Sequence, residues 1–291
     1  MLRSYRFVCS VVCSTLVLVG CEVDGEEPAA EDASGTTDLS SQADGNTLDT
    51  SNGGAETPAA GFYADQYDTI VSISDEVWIQ LFPGSDDPGV YLVESINAEE
   101  GYLVAHNDPN NQFSPDLWSR FDFVQVSGEW LYCQSAYDAA TAADAEATEA
   151  ADASDPSNAG CGGGGWSELN PSSVLPTDLE GHWIDQFGTN HHIHGNQWQM
   201  MFDGSDPGVF QIAEIDEAGF FIARNSVDNA FAAGLWSRFD YVEDNGNYWF
   251  CQTAYDAATF ADAASASAPD ASNPETSGCA GVAWSSLTAP M

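Results

Sequence analysis

From residue 61 onward the chain falls into short runs in which apolar, β-branched and aromatic residues alternate with polar ones. VYLVESI, GYLVAHN, LWSRFDFVQV and WLYCQSAY come first, and VFQIAEI, FFIARN, LWSRFDYVED and YWFCQTAY follow about 120 residues later. Each run has strand length, and alternation at period two marks strands with one face buried. Turn residues separate them: SDDPG and SDPG, EEG and EAG, VSGE and DNGN. Asp244-Asn245-Gly246-Asn247 holds the Asn-Gly pair that most favours a tight hairpin. Short successive connections predict an antiparallel meander of roughly six strands per unit.

The period then changes. Ala139 to Ala151 and Ala257 to Ala266 are alanine-rich and free of Gly and Pro, predicting a helix that starts near Asp138 or Asp256. Pro156 and Pro274 fall in the acidic loop that follows each.

These units are copies. Leu117–Cys161 aligns with Leu235–Cys279 without a gap, with 26 identities in 45 positions, and LWSRFD occurs letter for letter at residues 117–122 and 235–240. Upstream, Gly61-Phe62-Tyr63 matches Gly181-His182-Trp183; downstream, Trp166-Ser167 matches Trp284-Ser285. Units of this length are tandem globular domains rather than solenoid repeats. The expected fold is mainly β: two tandem antiparallel, barrel-like meander domains at residues 61–170 and 180–288, each self-contained with one Ala-rich helix and one disulfide.

Cysteine spacing carries the disulfides. Cys133 and Cys161 are 28 positions apart, as are Cys251 and Cys279. Four cysteines allow three pairings, and duplication favours one pair inside each unit. Such a bond stitches the last long strand to the returning tail and contributes about 3 to 4 kcal/mol through the unfolded state. No Cys-x-x-Cys spacing suggests redox work.

The hexapeptide places one arginine in each unit. Read as a strand, it puts Trp118, Arg120 and Asp122 on one face and Leu117, Ser119 and Phe121 on the other. Arg120 with Asp122, and Arg238 with Asp240, are therefore expected as partly buried structural ion pairs beside an aromatic ring. A carboxylate ligand for the arginine is the functional alternative.

The N-terminus reads MLRSYRFVCSVVCSTLVLVGC, a basic head followed by an apolar run too short to span a bilayer. Leu18-Val19-Gly20-Cys21 resembles the lipobox of bacterial lipoprotein precursors. That resemblance implies a leader at residues 1–20, removed before a diacylated (palmitate-type) Cys21, and an outer-membrane or cell-surface location. Residues 21–60 lack aromatics and are rich in Asp, Glu, Ser, Thr and Gly, so they read as a disordered acidic tether. At coil dimensions it holds the folded part about 35 Å from the anchor.

Two further resemblances rest on the repeats. Gly181-His182-Trp183 and Gly61-Phe62-Tyr63 resemble the Gly-x-Trp opening of lipocalin-type barrels, which implies Arg238 packed over Trp183 and Arg120 over Tyr63. The tandem unit with WSRFD, a cysteine shortly before Tyr-Asp-Ala-Ala, and Gly-Cys before Trp-Ser is similar to a domain of exported lipoproteins of Gram-negative bacteria, to which no activity attaches.

Charge narrows the partners. The chain has 46 acidic residues against five arginines and no lysine, a formal net of −41. Such a field repels nucleic acid and anionic headgroups and holds the protein in solution. His192 and His194 share a strand face and are candidate transition-metal ligands, although the aligned stretch of the first unit, residues 71–74, has no histidine. Acidic loops at residues 152–158 and 270–276 make calcium a candidate cofactor, without an EF-hand pattern. Trp130, Trp249 and Tyr248 are candidates for a sugar-stacking surface.

No nucleophile elbow, phosphate loop or His-Glu-x-x-His is present. The expected function is a membrane-anchored, non-enzymatic binding or structural role toward an envelope protein or glycan. The alternatives are a carboxylate-dependent hydrolase such as a glycosidase, and a calcium-dependent or glycan-binding module.

Overall fold

The alternating runs are joined by connections short enough to force each strand against the next, so each repeat forms a meander. The computed structural model describes residues 57–85, 87–172, 179–202, 205–244 and 246–290. The leader, Cys21, the tether up to residue 56, and the turn residues Asp86 and Asn245 lie outside them.

In the first repeat the strands are β1 (Gly61–Ala64), β2 (Ile70–Ile73), β3 (Val77–Leu81), β4 (Gly89–Asn97), β5 (Tyr102–Asn107), β6 (Trp118–Val126), β7 (Glu129–Ala139) and β8 (Ser167–Pro171). They close into a barrel, with Tyr63 of β1 opposite Pro171 of β8. The second repeat gives β9 (Gly181–Ile184), β10 (Asn190–His194), β11 (Gln197–Met201), β12 (Gly208–Asp216), β13 (Phe220–Asn225), β14 (Trp236–Asp244), β15 (Asn247–Ala257) and β16 (Ser285–Leu287). Its ends meet through one reciprocal backbone pair, Ile184 with Thr288 at 2.8 and 3.0 Å.

Eight strands per repeat replace the expected six. The additional ones are β2 and β3 with their copies, only four or five residues long and parted by turns of three and two residues, too short for alternation to stand out from loop.

The helices α1 (Ala142–Glu146) and α2 (Phe260–Ala264) are shorter than predicted and start later. Thr141 and Thr259, not Asp138 and Asp256, cap them, each accepting the backbone N–H three residues on. The preceding alanines go to strand instead: Ala139 pairs with Trp118 and Ala257 with Trp236. Sheet pairing outcompetes helix propensity there.

Disulfides Cys133–Cys161 and Cys251–Cys279 tie β7 and β15 to the segment returning toward β8 and β16. The glycine before each second cysteine has a geometric cause. Gly160 and Gly278 sit at φ +97° and +107°, and a Cβ there would lie 1.9 and 1.8 Å from the carbonyl oxygens of Asp152 and Asp270.

Both barrels are filled. Trp78 stacks on Phe121 at 4.8 Å at the centre of the first, and Trp198 stacks on Phe239 at 5.2 Å at the centre of the second. Each indole is fully buried.

Unlike faces of the two barrels meet. Val77, Ile79 and Val90 of the first pack on Ala213, Ile222, Trp236 and Phe260 of the second, in one buried apolar cluster. Phe62 joins the core cluster of the second barrel. At the polar centre, Ser72 donates to the Ile212 carbonyl at 2.6 Å and accepts from Asn196 and Gln211 at 2.8 and 2.9 Å. The sheets stay separate, while their facing surfaces form one desolvated contact.

Candidate functional site

The hexapeptide is a clamp. Arg120 donates from Nε and Nη2 to Asp122 at 3.0 and 2.8 Å, and from Nη1 to the carbonyls of Glu146 and Thr148 at 2.7 and 2.9 Å. Arg238 repeats this with Asp240 and the carbonyls of Ala264 and Ala266. Each guanidinium thus satisfies carbonyls at the end of a short helix, where cations are favoured, and holds it to the barrel wall.

The ring beneath is not the one implied by the lipocalin resemblance. Arg120 lies 3.9 Å over Tyr102 and Arg238 lies 3.7 Å over Phe220, both on the neighbouring strand. Tyr63 donates to the Ala59 carbonyl, and Trp183 packs edge-on to Tyr248. With all its donors aimed at its own fold, each of these arginines is occupied structurally.

Ser119 and Ser237, the third residues of the motif, lead to the surface. Ser119 Oγ, fully buried, donates to Asn107 Oδ1 at 2.7 Å; Asn107 Nδ2 in turn donates to the carbonyls of Ser114 and Tyr137. Ser237 and Asn225 do the same toward Ala232 and Tyr255. The chain of bonds ties the β5–β6 loop to the end of β7, and each of those carries an exposed aromatic: Phe113 and Tyr137, or Phe231 and Tyr255.

Two more aromatics stand at the same barrel end, because alternate connections of a meander share an end. In the β1–β2 turn, Asp65 Oδ1 accepts the N–H groups of Tyr67 and Thr69, both at 2.8 Å; Asp185 does so for Phe187 and Thr189. Phe82 and Phe202 begin the β3–β4 and β11–β12 turns. Each barrel therefore carries a rim of four aromatics, 42 to 88% exposed, at matching positions in the two copies. Among the described residues these eight are all of the strongly exposed aromatics.

No protein-family model, curated protein or solved structure matches the chain.

Sequence reading missed the rims because single exposed aromatics are unremarkable on a surface. The available signal was retention of an aromatic in the same turn of both copies. Trp130, Trp249 and Tyr248, read as a possible stacking surface, are half-buried, Trp130 against Phe123 and Tyr248 against Trp183.

A cleft of about 410 Å³ lies where the barrels meet. Asp75, Glu76, Glu94 and Asp228 line it with Trp118, and buried Arg224 reaches across from β13 to pair with Asp108 of the first barrel. Burial holds Arg224 below the ordinary arginine range, and its Nε has no protein partner. His106 occupies the position of Arg224 in the first repeat, so this pair is a feature of the junction.

The histidines divide by strand parity. His191 points inward, accepts from Trp198 Nε1 at 3.1 Å, and has Nε2 3.4 Å from Asp185. His192 and His194 are exposed, and His192 stacks on His182 of the adjacent strand at 4.4 Å. In the acidic loops Asp152 and Asp270 accept the N–H groups of Ser154 and Ser272, which lowers their pKa. Among the described residues no three His, Cys, Asp or Glu side chains converge on a metal position.

Proposed function

We propose that the protein is a lipid-anchored, non-enzymatic binding module of the cell envelope, and that it holds a neutral glycan on its aromatic rims. The paired rims carry this reading. Exposed aromatic surface is unfavourable in water unless something covers it, and both copies keep it at the same four positions. The β1–β2 and β5–β6 turns and their copies are fixed by buried Asp, Asn and Ser side chains, so little ordering is lost there on binding.

A pyranose ring presents C–H groups that stack on aromatic faces, and its hydroxyls suit acceptors such as the rim carboxylates Asp68, Asp116 and Asp138. The chain's charge of −41 disfavours anionic surfaces. The aromatic packing at the centre of each barrel favours binding at the surface over hydrolysis inside. In affinity electrophoresis through gels cast with neutral envelope polysaccharide, the full-length protein is expected to be retarded and Phe113→Ala/Phe231→Ala to run freely. Equal mobility of the two would refute this reading.

The inter-barrel cleft supports a second reading, a small-ligand site. Its volume lies in the range of ligand pockets, and its four carboxylates with the Trp118 wall suit a cationic or polyhydroxylated molecule.

A further inference from the structure

The first barrel docks on the second through a face bearing Phe62, Ser72, Val77 and Ile79. Those positions in the second barrel hold His182, His192, Gln197 and Gln199; the two histidines are exposed, while Gln197 lines the edge of the inter-barrel cleft. Three of the five histidines in the chain, His182, His192 and His194, lie on this face. Substitution at a freed docking face needs only polarity, for which serine or lysine would serve. Imidazoles placed opposite one another across two strands supply something more.

His182 and His192 are directly paired residues of β9 and β10, with rings 4.4 Å apart at 17°. Directly opposed residues of an antiparallel pair bring side chains close enough to chelate one ion. His182 Nε2 is 3.0 Å from Asn190 Oδ1. Donation from Nε2–H to that amide oxygen leaves the lone pair on Nδ1, the arrangement in which a second group fixes a metal-binding tautomer. Asn190 has Ile70 as its first-barrel counterpart, so the orienting group arrives with the two ligands.

The surrounding negative charge concentrates divalent cations.

We propose that His182 and His192 form a two-imidazole site for a borderline divalent transition metal, Cu²⁺ before Ni²⁺ or Zn²⁺, oriented by Asn190 and completed by water. Two imidazoles without carboxylates select these ions over Ca²⁺ and Mg²⁺, and Cu²⁺ heads the affinity order. The rings now lie face to face, so the exposed His192 turns about its own side-chain bonds to present an edge to the His182 ring that Asn190 holds.

The test is titration of Cu²⁺ alone into the full-length chain, followed by calorimetry and by EPR at one equivalent. The expected result is one saturable site with the hyperfine pattern of two imidazole nitrogens, lost in both His182→Phe and His192→Ser, which carry the first-barrel residues, and weakened in Asn190→Ile. Thermal melting of each variant without metal checks that the barrel is intact. Binding that persists unchanged in His182→Phe and His192→Ser, or absence of a saturable site in the parent, would overturn the proposal.

Discussion

Buried polar residues do most of the positioning, and their energetics differ between the copies. His191 replaces Val71 inside the second barrel. Burial lowers its pKa, with Asp185 opposing only in part. A base whose folded pKa is depressed binds its proton more readily when unfolded, so stability is full above the unfolded value of about 6.5 and is lost as pH falls below it. The slope has a ceiling of about 1.4 kcal/mol per pH unit for one proton. His191→Val should flatten the chemical-denaturation stability of the second barrel as pH falls below about 6.5, apart from the common carboxylate contribution. At neutral pH it should cost about 1 to 3 kcal/mol by leaving the Trp198 N–H without an acceptor. An unchanged acid slope would mean that His191 does not titrate with folding.

Two other residues at this scale give sharp contrasts. Arg120→Ala leaves Asp122 buried without its cation and frees two helix-end carbonyls, so a loss of about 3 to 5 kcal/mol in urea unfolding is expected. Gly160→Ala drives a methyl group into the Asp152 carbonyl, while Gly128→Ala at a similar φ of +93° meets nothing within 4 Å. The first should destabilise by several kcal/mol, the second by about 1; equal losses in thermal melts would contradict the steric account.

Among the elements, the two helices show where sequence patterns stop being decisive. Alanine content predicted helices of 13 and 10 residues. The structure keeps five in each, because strands β7 and β15 claim the first alanines and a threonine cap fixes the start. Boundaries of this sort depend on which partner strand is adjacent, a tertiary fact absent from local propensity. The long strands β4 to β7 and the two disulfides were legible, since alternation and identical cysteine spacing act over long enough stretches. Arg120–Asp122 was legible as a strand-face pair. Its aromatic neighbour was not, because Tyr102 and Phe220 come from the adjacent strand and register decides the contact. The rim aromatics were visible as letters and invisible as a surface, because only the meander brings four separate connections to one end.

For the whole molecule, duplication explains more than composition does. The two barrels meet through unlike faces, and such a heterologous contact leaves a face of each kind open at the ends. In the second barrel Gln197 and Gln199 stand where the first has Val77 and Ile79, which stops the contact from propagating. Gln197→Val/Gln199→Ile should therefore raise the mass in sedimentation velocity as concentration increases; a concentration-independent mass would show that the docking surface is specified elsewhere. The same copying supplies two rims on one body. A repetitive ligand can engage both, so binding strength reflects effective concentration as well as each site.

The most direct test is equilibrium binding of a soluble neutral polysaccharide to the parent, to Phe113→Ala/Tyr137→Ala, to Phe231→Ala/Tyr255→Ala, and to the variant with all four changes. The account predicts that either pair alone weakens binding and that the fourfold variant, with unchanged melting temperature, loses it. Binding by the fourfold variant as tight as that of the parent would contradict it.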